Sequence, residues 1–167
     1  IYDIEILYSR FSNQNLFITS PAGYGKTTAL KYLFLKYGNS EDSRVYFISA
    51  SAFLLSRNRL SHYQKAIRTA VEKNIAIGGL ILIDGLEEAF TSNYIEASNL
   101  LQKAGMSNNN IWVACRSEYL AHLKESTNSC YEDIAEIQNW SKEDFYALID
   151  TFAKNVNQAD RLEEVKK

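Results

Sequence analysis

"LFITSPAGYGKTTALKYLFLKY", Leu16 to Tyr37, runs from a β-favouring stretch through a turn that holds two glycines and the chain's only proline into a helical pattern. Leu16-Phe17-Ile18-Thr19 predicts a short buried strand. From Lys26 onward, Ala29, Leu30, Leu33, Phe34 and Tyr37 recur at helical spacing, with Gly38 as the stop. At the junction, Gly25-Lys26-Thr27 matches the end of the phosphate-loop pattern G-x-x-x-x-G-K-[ST]. Backbone N–H groups from Gly23 to Thr27 would curl around an anion at the positive end of the helix. Lys26 would neutralise the outer phosphates of a nucleotide, and the Thr27 hydroxyl would bind Mg²⁺. Pro21 stiffens the loop where no N–H is required. The candidate nucleotide-binding residues are therefore Ser20, Pro21, Ala22, Gly23, Tyr24, Gly25, Lys26, Thr27 and Thr28. Ser20 stands where the pattern has its first glycine. A chance loop of small residues is the competing reading, and the strand and helix in register on both sides weigh against it.

Two further segments extend the pattern. In "LILIDGLEEAF", Asp84 ends an apolar strand, where a carboxylate would hold Mg²⁺ through water. Glu87 and Glu88 follow on a turn opened by Gly85, and either could polarise an attacking water. Both would equally favour the first turn of a helix through its dipole. In "IWVACRSEYL", Arg116 lies just past a strand. Ligands of open α/β sheets bind outside the carboxyl ends of the strands, so Arg116 could reach the γ-phosphate. The catalytic candidates are Glu87, Glu88 and Arg116, and the metal candidates are Thr27 and Asp84.

Composition sets the frame around these motifs. Of 167 residues, 46% are apolar and 23% charged, as in a globular domain. One domain is expected, with residues 1–11 as an N-terminal flank, 12–155 as the core and 156–167 as a tail or the start of a further domain. The chain starts at Ile1 and stops in "RLEEVKK", so a fragment of a larger multidomain protein is expected. A net charge of -2 gives no electrostatic reason to expect a nucleic-acid surface. Cys115 and Cys130 are too few for a disulfide scaffold and lack C-x-x-C spacing; buried thiols in a reducing, cytoplasmic compartment fit. His62 and His122 have no partner at metal-ligand spacing. No apolar run approaches the length of a membrane span, and no signal peptide is expected.

Elsewhere, strands and helices alternate. "RVYFISA" (44–50), "LILID", "IWVAC" and the more charged "EDIAEIQ" (132–138) read as strands. Helical faces are marked by Leu60, Tyr63, Ile67, Ala70 and Val71, and by Tyr94, Ala97, Leu100, Leu101 and Ala104, the latter ended by Gly105. A short helix is expected around Tyr119 to Lys124. Ser141 with Asp144 forms a capping box for a last helix with Phe145, Leu148, Ile149 and Phe152 on its apolar face. Strands apolar on both faces, alternating with helices, predict a parallel sheet covered by helices.

"SPAGYGKTTAL", "LILIDGLEEAF", "IWVACRSEYL" and "IAEIQNWSKEDFYALI", in that order from Leu16 to Phe152, together resemble the nucleotide-binding core of NACHT-type STAND ATPases, relatives of AAA+ proteins. The resemblance implies a three-layer αβα sandwich of the ASCE P-loop type with a parallel five-stranded sheet in the order 5-1-4-3-2. It implies ATP or ADP as ligand, Mg²⁺ as cofactor and Arg116 as the sensor. Ser141-Lys142-Glu143-Asp144 corresponds to the family's helix start after the fifth strand. It further implies a switch: ADP holds a closed monomer, and ATP permits self-association of the full-length protein. Residues 1–11 would supply one wall of the base pocket. Two other readings stay open. "SKED" resembles the guanine-reading [NT]-K-x-D of GTPases, although Ser141 is the wrong first residue and a helix cap explains the same letters. A module that holds nucleotide without turning it over fits the same motifs.

Overall fold

Every strand expected from the apolar runs is present in the computed structural model, which describes residues 4–38, 44–54, 59–126, 130–131, 133–138 and 143. They are β1 (Leu16–Ser20), β2 (Val45–Ser49), β3 (Leu80–Asp84), β4 (Asn110–Arg116) and β5 (Asp133–Glu136). The chain divides into two compact units, Ile1–Ile137 and Gln138–Lys167, and the architecture described is that of the first. The last helix expected from Ser141 and the start at Ser141–Asp144 lie outside the described residues, except for Glu143.

All neighbouring strands pair in parallel, in the order β2-β3-β4-β1-β5, which is 5-1-4-3-2 read from the other edge. Each strand of β1 and β3 is buried along its whole length, which is why its sequence is apolar without alternation. Alternate residues nevertheless serve two different cores, because successive side chains leave opposite faces of the pleat. Leu16, Ile18, Leu80, Leu82, Trp112 and Ala114 pack with α1 (Ile4–Phe11) and α2 (Lys26–Tyr37). Phe17, Ile81, Ile83, Ile111, Val113 and Cys115 pack on the other side, with α3 (Ala50–Leu54), α4 (His62–Glu72), α5 (Leu86–Ser92), α6 (Tyr94–Gly105) and α7 (Leu120–Ser126). Two helical layers on one sheet give the three-layer α/β sandwich. Among the described residues no helix is long and apolar enough to cross a membrane.

Four local readings change. Residues 4–11 are a helix and not merely a flank. Tyr8 stacks on Tyr37 at 4.4 Å, and the fully buried Trp112 donates its Nε1–H to the Phe11 carbonyl at 3.2 Å. Gly105 is the last residue of α6 and not a stop after it: a Cβ there would lie 2.6 Å from Cys130 Cβ and 2.8 Å from Tyr131 Cε2, so close approach demands glycine. Tyr63 is 40% exposed and does not face the core; its hydroxyl accepts the Phe47 N–H at 2.9 Å, covering an otherwise open donor on the edge strand β2. Tyr94, assigned to the buried face of α6, is 48% exposed.

Candidate functional site

The parallel register brings the carboxyl ends of β1, β4 and β3 to one rim, with Ser20 opposite Arg116 and Ile83 opposite Val113. From that rim the chain leaves β1 through Pro21 to Gly25 and enters α2 at Lys26. Gly23 and Gly25 both sit in the left-handed region, at φ 82° and 86°. A side chain at either would be strained there, so the alternation of glycine with Ala22 and Tyr24 is what lets the loop curl. Gly25 is the N-cap of α2 and offers no side-chain cap. The first intrahelical bond runs from Ala29 N–H to Gly25 O at 2.9 Å, so the N–H groups of Lys26, Thr27 and Thr28 have no acceptor within the helix.

Lys26 folds back over this loop and is 8% exposed. Its ammonium donates to Ser20 O at 2.9 Å, Pro21 O at 3.0 Å and Ser20 Oγ at 3.1 Å. Three donors thus meet three acceptors. The third acceptor exists because Ser20, itself fully buried, replaces glycine. Pro21, Ala22, Gly23, Thr27 and Thr28 are exposed, while Tyr24 and Gly25 are half-buried.

Asp84 closes β3 at 9% exposure. Burial raises its carboxyl above the ordinary value of 3.8; a hydrogen bond with the Thr27 side chain and the charge of Lys31 oppose that, and Glu87 adds to it. A carboxylate with little water around it, touching a hydroxyl on the neighbouring helix, suits Mg²⁺, which takes one or two carboxylates and fills its shell with phosphate and water oxygens. Among the described residues no group of three His, Cys, Asp or Glu could hold a metal alone, so phosphate oxygens would have to complete such a site. Thr27 and Asp84, the two metal candidates, therefore come together. Lys31 was not singled out from sequence. Its signal was its spacing, one turn after Thr27 on the same helix face.

Glu87 and Glu88 part company. Glu88 is exposed, and its carboxyl carbon lies 3.5 Å from where a Cβ on Gly85 would sit. The Glu87 side chain is 12% exposed, and its Oε1 accepts from Arg116 Nε at 3.2 Å. Arg116 is the last residue of β4, not a residue past it. Beside it, burial pushes the Cys115 thiol up to about 12, which leaves it a neutral packing group. Thr19 donates to Ser117 Oγ at 3.2 Å, tying the ends of β1 and β4 together. Helix α1 packs along α2, with Tyr8 on Tyr37 and Glu5 against Tyr32 and Lys36, and against Trp112 of β4.

No protein-family model matches this sequence, and no curated protein does. Solved structures do. Domain III of the replication initiator DnaA of Thermotoga maritima is similar with a TM-score of 0.61 at 16% identity, over 96% of this chain and 71% of that one. AMPPCP-bound DnaA of Aquifex aeolicus is similar at 0.58 and 18% identity, over 97% and 53%. Orc1 of Aeropyrum pernix, in complex with DNA, is similar at 0.57 and 17% identity, over 91% and 47%. The chain spans about half the length of the last two. This chain shares their fold, an all-parallel five-stranded α/β sheet in the order β2-β3-β4-β1-β5.

Proposed function

We propose that this chain is the adenine-nucleotide-binding core of a switch protein of the NACHT-type STAND kind. It binds ATP or ADP with Mg²⁺, hydrolyses ATP slowly, and through its nucleotide state governs self-association of the full-length protein. The observation that carries the reading is the glycine-curled loop at the β1 carboxyl end, with Lys26 lying over it and Asp84 against Thr27. The N–H groups of the loop and of the first turn of α2 would bind phosphate oxygens. Lys26 would exchange its three loop acceptors for them. Thr27 and Asp84 would hold Mg²⁺, which when bound supplies positive charge against the phosphates. Glu87 would orient water and Arg116 would meet the terminal phosphate. Slow turnover follows from the exposure of Arg116, at 43%, because water screens its charge. The AMPPCP bound by the Aquifex DnaA supports an adenine nucleotide. Orc1 was solved with DNA; the net charge of -2 gives no electrostatic reason of its own to expect a nucleic-acid surface on this chain.

Calorimetric titration of ATP, ADP and GTP into the parent and Lys26→Ala tests this. The loss of charge-assisted hydrogen bonds should weaken ATP roughly 10- to 100-fold. The circular dichroism spectrum should not change. Unchanged ATP affinity in the variant would remove the phosphate-loop assignment, and a preference for GTP would replace the adenine reading.

A further inference from the structure

An ammonium has three N–H donors, and those of Lys26 are all taken up by the loop itself. Two of the acceptors, Ser20 O at 2.9 Å and Pro21 O at 3.0 Å, are main-chain carbonyls that any residues at positions 20 and 21 would offer. The third, Ser20 Oγ at 3.1 Å, is a side chain, and it stands where the phosphate-loop pattern has a glycine. The hydroxyl is held in the accepting role. Its own proton goes to Pro21 O at 3.2 Å, which leaves a lone pair for Lys26. Ser20 is fully buried, so water cannot take the place of the ammonium when it leaves. Residue 20 therefore adds a buried acceptor to a loop whose lysine is wanted by phosphate.

Resting on the nucleotide reading above, we propose that Ser20 Oγ competes with the phosphate oxygens of a bound nucleotide for the third N–H of Lys26. The loop would then hold nucleotide less tightly than one with no side-chain acceptor at this position. Phosphate must draw that N–H off the hydroxyl before Lys26 can reach it. Apparent affinity falls by the share of chains in which the ammonium is free. The contested group is the ammonium itself, so ATP and ADP are both affected. Ser20 acts on the ligand through Lys26, as a positioning residue.

The test is calorimetric titration of ATP and ADP, each with Mg²⁺, into the parent, Ser20→Ala, Lys26→Ala and the double variant, beside the melting point of each without ligand. As the last residue of β1, position 20 takes Ala without backbone strain, and Pro21 O keeps its bond from Lys26. Competition predicts opposite signs. Without ligand, Ser20→Ala should melt below the parent, because a nearly buried ammonium loses an acceptor. Its affinity for both nucleotides should rise about 2- to 10-fold, the worth of one hydrogen bond. In the Lys26→Ala background the same change should leave affinity where it was. Stability and affinity that fall together would show a merely structural hydroxyl, or one that itself donates to phosphate, and would overturn the proposal. So would an equal gain in both backgrounds, which would mean added room and not a contested donor. If Ser20→Ala misfolds, Ser20→Cys, close to serine in size but a weak acceptor, carries the same expectation. The parent separates the two levels. If it binds nucleotide while the Ser20 variant gains nothing, the competition alone is lost; if it binds neither ATP nor ADP, the nucleotide reading is lost and the competition with it.

Discussion

Asp84 is a carboxylate that the fold keeps at a cost. Burial raises its carboxyl above 3.8 despite the Thr27 hydrogen bond and the Lys31 charge. A carboxyl that binds its proton more tightly folded than unfolded favours the folded chain most when protonated. Its contribution therefore falls as pH rises from 3.8 through the raised value, and the penalty persists at neutral pH. Asp84→Asn should lift that penalty. The nucleotide-free variant should melt higher than the parent at pH 7, by about 2–4 °C for each kcal/mol relieved in a domain of this size. Its Mg²⁺-dependent ATP affinity should fall. A lower melting point in the absence of ligand would mean that the charge is stabilised by its neighbours and not merely tolerated. The loop between β1 and α2 was legible because its signals are local: Gly25, Lys26 and Thr27 are consecutive, and the strand and helix flanking them are coded beside them. Glu87 could not be separated from Glu88 in the same way. Both are acidic residues in one helical turn, and only the β3–β4 register decides which meets Arg116.

At the scale of elements, one side chain ties several ends together. Asn15, just before β1, donates from Nδ2 to Gly105 O at 2.9 Å and Cys130 O at 3.2 Å, and its Oδ1 accepts from Ile111 N at 2.9 Å. It thereby joins the start of β1, the end of α6, the start of β4 and the approach to β5. Asn15→Ala should cost roughly 2–4 kcal/mol, because it removes three hydrogen bonds and strands a backbone N–H. Urea denaturation reads this as a lowered midpoint at unchanged slope. Asn15→Asp keeps the acceptor but sets a carboxylate oxygen against the Gly105 and Cys130 carbonyls, so at pH 7 it should lower the midpoint at least as far as Asn15→Ala. Equal midpoints for parent and Asn15→Ala would show the ends to be held by packing alone. Buried strands such as β1 and β3 were plain in the sequence as unbroken apolar runs. Helix α1 was not, although Ile4, Leu7, Tyr8 and Phe11 have helical spacing. Its 8 residues are too few to hold a helix alone, and it forms by packing on Tyr37 and Trp112. Likewise α3 is a short helix that follows β2 directly, with little length to announce it; Ser49, the last residue of β2, caps it by accepting the Ala52 N–H at 3.2 Å.

Across the whole molecule, a parallel sheet with helices on both faces could be read from alternation and apolarity, but the strand order came from a family resemblance. Periodicity says that a strand is buried, not which strand lies beside it. The order matters most for function, since it gathers Ser20, Asp84 and Arg116 at one rim from positions 64 and 32 residues apart in the chain. Similarity to DnaA at a TM-score of 0.61 and 16% identity fits that division: the packing geometry persists where the side chains have changed. In the function proposed, this rim cradles phosphate through backbone N–H groups. Amide hydrogen exchange with and without saturating Mg²⁺–ATP tests it directly, because it reads those N–H groups one by one. Protection should rise from Gly23 to Thr28 and spread no further than the ends of β3 and β4. Exchange from Gly23 to Thr28 that stays unchanged under saturating nucleotide, or protection confined to another surface, would rule out a phosphate cradle at this rim.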